Sequence, residues 1–333
     1  MFTVSGPIRM SPNPAPLPAT VSAEEDEAGM SFVLRTLASN CLTFGRARTW
    51  LGLRKTTGMG QQYLRTLAWA TGADPRWLQY RCLERRTEGG MVVCRLLGHT
   101  LRPSMLARER WVQLCPACVH EDGYCQSTWD VACVCACVRH STLLVDRCLR
   151  CERRLEWDRP TVDVCKCGRL LIASGKAPAL HPYVSLWCEW VQRRLRQGAD
   201  AAMATPSPLP AWLGQLSVDG AFRVVHAFGV VRPSTATLAS FNARLMPISL
   251  MAELIESGVA RLQHFDDPER RLDWAREVHV PGLVHLTKVG VTDADRSAAA
   301  NLIELITHPA KARPDGRGGV PRGQLSLFQG LES

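Results

Sequence analysis

The sequence lacks any uncharged apolar run of about eighteen residues, the length a helix needs to cross a bilayer, so no membrane-spanning segment is expected. Its opening stretch, MFTVSGPIRMSPNPAPLPATVS, has no continuous apolar core of the kind a secretory signal carries. These absences point to a cytoplasmic, reducing setting, in which the 14 cysteines are not expected to pair as disulfides. Signatures of enzyme chemistry are missing too. The glycine-rich GRGGV lacks the Lys-Ser/Thr of a phosphate-binding loop, which argues against ATP binding. Asp266 and Asp267 stand directly before Pro268 and read as a helix start, not as a catalytic carboxylate pair. His181, His226, His264, His279 and His285 have no ligand-type neighbours, and Cys41, Cys82, Cys94 and Cys188 stand alone like core residues. The chain is therefore expected not to be an enzyme.

What is present is charge, placed unevenly, on a chain of 333 residues, long enough for two or three domains. Between Asn40 and Arg110, thirteen Arg or Lys residues face only Asp74, Glu84, Glu88 and Glu109, a balance of +9 that equals the net charge of the whole chain. A basic region this localised suggests a polyanionic partner, because each neutralised phosphate releases counterions. A well-solvated surface is the plainer reading.

Four regions follow a Pro-rich tail, assigned to residues 1–27 and expected to be disordered. Residues 28–110 read as a basic helical domain. In it, Phe32, Leu34, Leu37, Ala38 and Leu42 share one helical face, and Tyr63, Leu64, Leu67 and Ala68 keep helical period. Gly72 can end that helix, and Asp74-Pro75 supplies a cap and first-turn proline for a second one through Trp77, Leu78, Arg81 and Cys82. Two short helices joined this way form a helix-turn-helix pattern, with Arg76, Arg81, Arg85 and Arg86 as the groups that could meet a nucleic-acid groove or a partner. A plain hairpin within a helical bundle fits the same pattern. Residues 111–175 hold the cysteine cluster, with a short strand expected after Trp129. Residues 180–310 are expected to be helical again, in SLWCEWVQRRLRQG, DGAFRVVHAFGVV, PISLMAELIESG and TDADRSAAANLIELITHP, with Pro247 and Asp293 as starts and Gly258 as a stop. Residues 311–333 read as a flexible basic tail, closed by LSLFQGLES, a candidate docking peptide. The fold class is mainly α: a helix-turn-helix domain, tandem zinc knuckles with short β-hairpins, and a C-terminal helical domain.

The cysteines resolve into two ligand sets. Cys115-Pro-Ala-Cys118 is a CxxC pair, closed eighteen residues later by Cys137-Val-Arg-His140. Cys148-Leu-Arg-Cys151 is a second CxxC, completed by Cys165-Lys-Cys167 with a glycine after it. A CxxC turn aims two thiolates at one ion while backbone amides donate to the sulfurs. Both sets are fully closed by protein ligands, which fits two structural zinc ions with no open catalytic position; an iron–sulfur cluster is the less favoured occupant of the four-thiolate set. Each structural zinc can contribute roughly 10–16 kcal/mol of apparent folding free energy. Cys125, Cys133 and Cys135 remain, and small buried core positions suit them better than ligation.

RERWVQLCPACVHEDGY, then Trp129, CVRHSTLLVDRCLRC and KCG resemble the TniQ family of bacterial transposition proteins. EAGMSFVLRTLASN is similar to that family's opening helix, and LAWATGADPRWL to its helix-turn-helix. The resemblance covers about residues 24–170. It supports Cys137 as the ligand, because Trp129 precedes it as the family's Trp precedes its own ligand cysteine. Val138, Ser141, Asp130 and Ala132 depart from the family's Pro, Gly, Arg and Pro, and none of these changes removes a ligand. What the resemblance implies is a target-selection adaptor, linking a TniB- or TnsC-like AAA+ ATPase to target DNA or to an RNA-guided CRISPR effector complex. A homodimer is also implied for the branch that docks on CRISPR effectors. A stand-alone zinc-containing helix-turn-helix transcription regulator is the alternative.

Overall fold

The computed structural model describes residues 15–53, 59–171, 179–199, 203–230, 242–265, 267 and 277–307. Helix α1 (Gly29–Ser39) buries Phe32, Leu34 and Leu37 of the predicted apolar face and Val33 besides, while Ala38 is half-buried and Leu42 lies beyond the helix end. Helix α2 (Phe44–Trp50) begins where the Thr43 hydroxyl accepts from the Arg46 amide. Helix α3 (Gln61–Thr71) ends at Gly72, whose φ of +72° is a left-handed value that costs glycine little. Asp74 then caps α4 (Pro75–Arg81), its carboxylate accepting from the Trp77 amide at 2.7 Å. Phe32 on α1 meets Trp77 on α4 edge to face, with ring centroids 5.2 Å apart.

Residues from 15 onward are laid against these helices, so the expected tail to residue 27 is too long. The Leu17 amide donates to the Ala70 carbonyl, and Asn40 both accepts from and donates to the Ala19 backbone. Leu17 is itself buried. Those bonds satisfy polar backbone that a disordered tail would leave to water.

A second difference follows α4. The sequence reading continues helix to residue 110, whereas the chain forms an antiparallel sheet of β1 (Glu84–Glu88), β2 (Met91–Leu96) and β3 (His99–Leu101). Glu88 pairs with Met91 and Leu96 with His99, so each connection is two residues long. Gly89 and Gly90, then Leu97 and Gly98, all have positive φ, the condition for the tight hairpin turns whose twist matches that of the strands.

The cysteine region carries little regular structure. Helix α5 (Pro116–Asp122) is followed by a 3-10 turn at Ser127–Asp130 and a small hairpin of β4 (Ala136–Cys137) and β5 (Thr142–Leu143). The strand expected from Trp129 onward is thus confined to two residues, because Trp129 and Asp130 belong to the 3-10 turn. Isolated pairings of Leu114 with Val145, Trp111 with Glu156, and Arg147 with Arg154 tie the loops together.

Helices dominate the remainder: α6 (Pro182–Gln197), α7 (Val218–Gly229), α8 (Ile248–Leu262), α9 (Val280–Val289) and α10 (Asp293–Thr307). Pro247 and Asp293 mark starts as expected, and α9 is an element that the sequence reading does not contain. Gly258 does not stop α8. It lies inside the helix where a Cβ would overlap the Val225 carbonyl of α7, so its role is close helix packing. These helices are pinned to the cysteine region: Arg108 reaches Asp146 at 3.5 Å and the Met246 carbonyl at 3.2 Å, and the Gln192 amide group donates to the Ala136 carbonyl. Of the helix start expected at Asp266 to Pro268 only Asp267 is described, and the tail at 311–333 falls outside the described residues.

Candidate metal centres

Cys115 sits at the N-terminus of α5, and the Pro116 that follows fixes the first helical turn, which returns Cys118 to the same side. Cys137 ends β4, and His140 lies in the turn to β5, where Ser141 has a φ of +49°. The ligand atoms of these four residues all lie within 4.8 Å of one another. His140 Nδ1 stands 3.4 Å from Cys115 Sγ, 3.2 Å from Cys118 Sγ and 3.5 Å from Cys137 Sγ. The opposite ring nitrogen, Nε2, is 3.1 Å from Glu121 Oε1. A carboxylate in that place fixes the ring's orientation and leaves Nδ1 as the ligand atom. Arg139 in turn binds Glu121 at 2.7 Å and Asp122 at 2.8 Å, so a small ionic brace surrounds the exposed edge of the site.

The second group is Cys148, Cys151, Cys165 and Cys167, again with ligand atoms within 4.8 Å. Cys148 and Cys167 sulfurs are 3.8 Å apart, as are those of Cys151 and Cys165. Two tight turns present them: Glu152 with a φ of +56° closes one, and Gly168 with a φ of +82° closes the other. A tetrahedral thiolate site with bonds of about 2.3 Å places its sulfurs about 3.8 Å apart. The second group has that spacing, the first is somewhat tighter with Cys118 and Cys137 sulfurs 3.5 Å apart, and each could hold one metal ion.

Backbone amides reinforce the sulfurs. Bonds from the Cys118 and Cys137 thiols, helped by the Cys118 and Ala117 amides, pull the Cys115 thiol well down, and the same contacts push Cys118 up, so the thiolate is held first on Cys115. Against burial, which raises it, the Cys151 and Arg150 amides bring Cys148 down to about 7. Thiolates stabilised this way are the form that binds metal. Cys133 and Cys135 lie outside both groups and are fully buried; Cys135 contacts the thiol of Cys188 at 3.9 Å. Burial drives the Cys133 thiol well up, and the contact with the Cys188 thiol, then burial, does the same to Cys135, as suits inert core positions.

The four arginines read from the sequence are not brought together. Arg76 is exposed on the first turn of α4. Arg81 donates to Ser127 at 3.3 Å and leans over the Tyr80 ring at 5.8 Å. Arg85 and Arg86 are not helical, because Cys82 already has extended backbone; they sit on β1, paired with Glu109 at 3.3 Å and Glu84 at 2.7 Å. Sequence reasoning missed Arg65 and Trp69, which share the outer face of α3, one turn apart; Trp69 is 45 % exposed. Their spacing of four, opposite Leu64, Leu67 and Ala68, was the available signal. Glu121 and Asp122 were likewise visible beside the first CxxC but carried no assigned role.

Residues 18–144 match the family model of TniQ. Through this stretch the chain carries a TniQ domain. TniQ is a family of transposition-associated adaptors, and the match spans the α3–α4 pair, the sheet and the whole of the first ligand group. No curated protein matches the chain. No helix among the described residues is long and apolar enough to cross a membrane.

Proposed function

We propose that this TniQ chain is a non-enzymatic recruitment factor in DNA transposition, linking an AAA+ ATPase regulator to the site chosen for insertion. The observation that carries the reading is the coincidence of the TniQ match with a fully closed four-ligand group at residues 115–140. Zinc is the ion that both groups suit best. Cys115, Cys118, Cys137 and His140 would hold one ion, and Cys148, Cys151, Cys165 and Cys167 the other, with no ligand position left for substrate. Such ions supply cross-linking of loops that have almost no regular structure of their own. The exposed Arg65, Trp69 and Arg76 on α3 and α4 are the groups that would meet duplex DNA or a guide-RNA effector complex.

A pull-down with the cognate ATPase tests the adaptor role, run beside titration with target duplex at physiological salt. The adaptor reading expects ATPase capture and weak or context-dependent duplex affinity. Tight, sequence-specific duplex binding with no ATPase capture would instead make the chain a stand-alone regulator.

A further inference from the structure

A cleft of about 590 Å³ opens between α2–α3 and the second cysteine group. Its walls hold seven cationic side chains and three carboxylates. Arg48 comes from α2, while Arg147, Arg153, Arg154 and Lys166 come from the loops that carry Cys148 to Cys167. Glu109, one of the carboxylates, is already matched from outside the cleft by Arg85 and Arg244, at 3.3 Å and 3.2 Å. A divalent ion held by four thiolates would add a charge of about −2, which leaves the cleft positive. Aromatic groups are interleaved with this charge: Phe44, Tyr63, Trp111 and Trp157. The Arg110 guanidinium lies 4.6 Å from the centre of the half-buried Trp111 ring, with Arg154 at 5.5 Å. Arg110 is further held by Glu156 at 3.0 Å and stays 54 % exposed, so it offers a fixed planar cation to the cleft.

Positive charge that tracks a backbone, together with planar groups on which bases stack, is the chemistry of single-strand recognition. An acidic peptide would use the arginines but has no use for the stack, and a duplex is too wide to place its bases inside a cleft of this size. We propose that this cleft binds an unpaired segment of nucleic acid, RNA or DNA, with phosphates on Arg48, Arg147 and Arg153 and a base stacked on the Arg110–Trp111 pair. The site is separate from the α3–α4 face and does not rest on the adaptor reading.

Fluorescence anisotropy on the metal-loaded full chain tests it, with labelled unstructured oligo-U and oligo-dT of about 12 nucleotides, within the ~4–16 range of single-strand sites. Duplex DNA and poly-glutamate serve as competitors. The expected result is that one or both single strands bind ahead of duplex and of poly-glutamate, the two arms distinguishing RNA from DNA. Trp111→Ala should weaken binding about tenfold and Trp111→Tyr should restore most of it. Arg153→Glu should weaken binding and flatten its dependence on salt. Arg76→Glu should leave strand binding unchanged while weakening any duplex binding, which separates this site from the one proposed for the adaptor. Arg153 is exposed, so its reversal keeps the fold even where Trp111→Ala does not. Strand affinity that is absent, unmoved by Arg153→Glu, or matched by duplex or poly-glutamate overturns the proposal.

Discussion

His140 turns Nδ1 toward three sulfurs and Nε2 toward Glu121, so one imidazole links the metal group to an external brace. Removing the carboxylate should cost metal affinity without removing a ligand. Glu121→Ala is expected to lower affinity at this group about 10–100-fold, read by chelator competition, while the second group is unaffected. Asp130 is a different case. It is 5 % exposed, and burial raises its carboxyl to about 8 from an ordinary 3.8. The folded state therefore holds a proton that the unfolded chain releases, and stability is lost as pH rises through that interval, at about 1.4 kcal/mol per pH unit. His226, driven down to about 3 from 6.5 by burial, acts in the opposite sense below 6.5 because the unfolded chain then binds the extra proton. Of these two groups, only Asp130 acts between 6.5 and 8. Asp130→Asn should remove that loss, so the stability of the variant relative to the native chain should rise across that interval; parallel profiles would assign the burial energy elsewhere. The ligand residues were legible in the sequence because chelation imposes a spacing. Glu121 and Asp130 were less so, since an orienting or buried carboxylate has no spacing rule and is recognised only by what surrounds it.

At the level of elements, the signals that proved readable were those with a local cause. Gly72 and Asp74-Pro75 end one helix and begin the next by backbone and capping chemistry alone. The three-stranded sheet carried an equally local signal, Gly89-Gly90 before Met91 and the β-branched Val92-Val93 pair, but the surrounding arginine-rich helical pattern obscured it. Helix α8 shows the limit of local reading. Gly258 is a plausible stop in sequence, yet tertiary packing against α7 explains it better. A methyl group there must displace the Val225 carbonyl, so Gly258→Ala is expected to destabilise the chain by about 1–3 kcal/mol despite its better helix propensity. A raised melting temperature in that variant would show that α7 and α8 can move apart freely.

The whole molecule spends much of its basic charge internally. Arg102, buried at 8 %, donates to the Val289 carbonyl, Arg108 spans Asp146 and Met246, and Arg85, Arg86 and Arg95 each face a glutamate. The sequence count of +9 in residues 40–110 therefore overstates the free basic surface. Among the described residues of 40–110, exposed basic groups include Arg46 on α2, Arg65 on α3, Arg76 on α4 and Arg110 in the cleft beside the second cysteine group. The two ligand groups bring together the loops of the cysteine region that line the cleft, and the adaptor proposal depends on zinc filling both. Elemental analysis joined to native mass measurement of the full chain tests that occupancy most directly. Two zinc ions per chain are expected, with one zinc in Cys137→Ser and two in Cys135→Ser. One ion or none in the native chain, iron in place of zinc, or equal loss from both variants would contradict it.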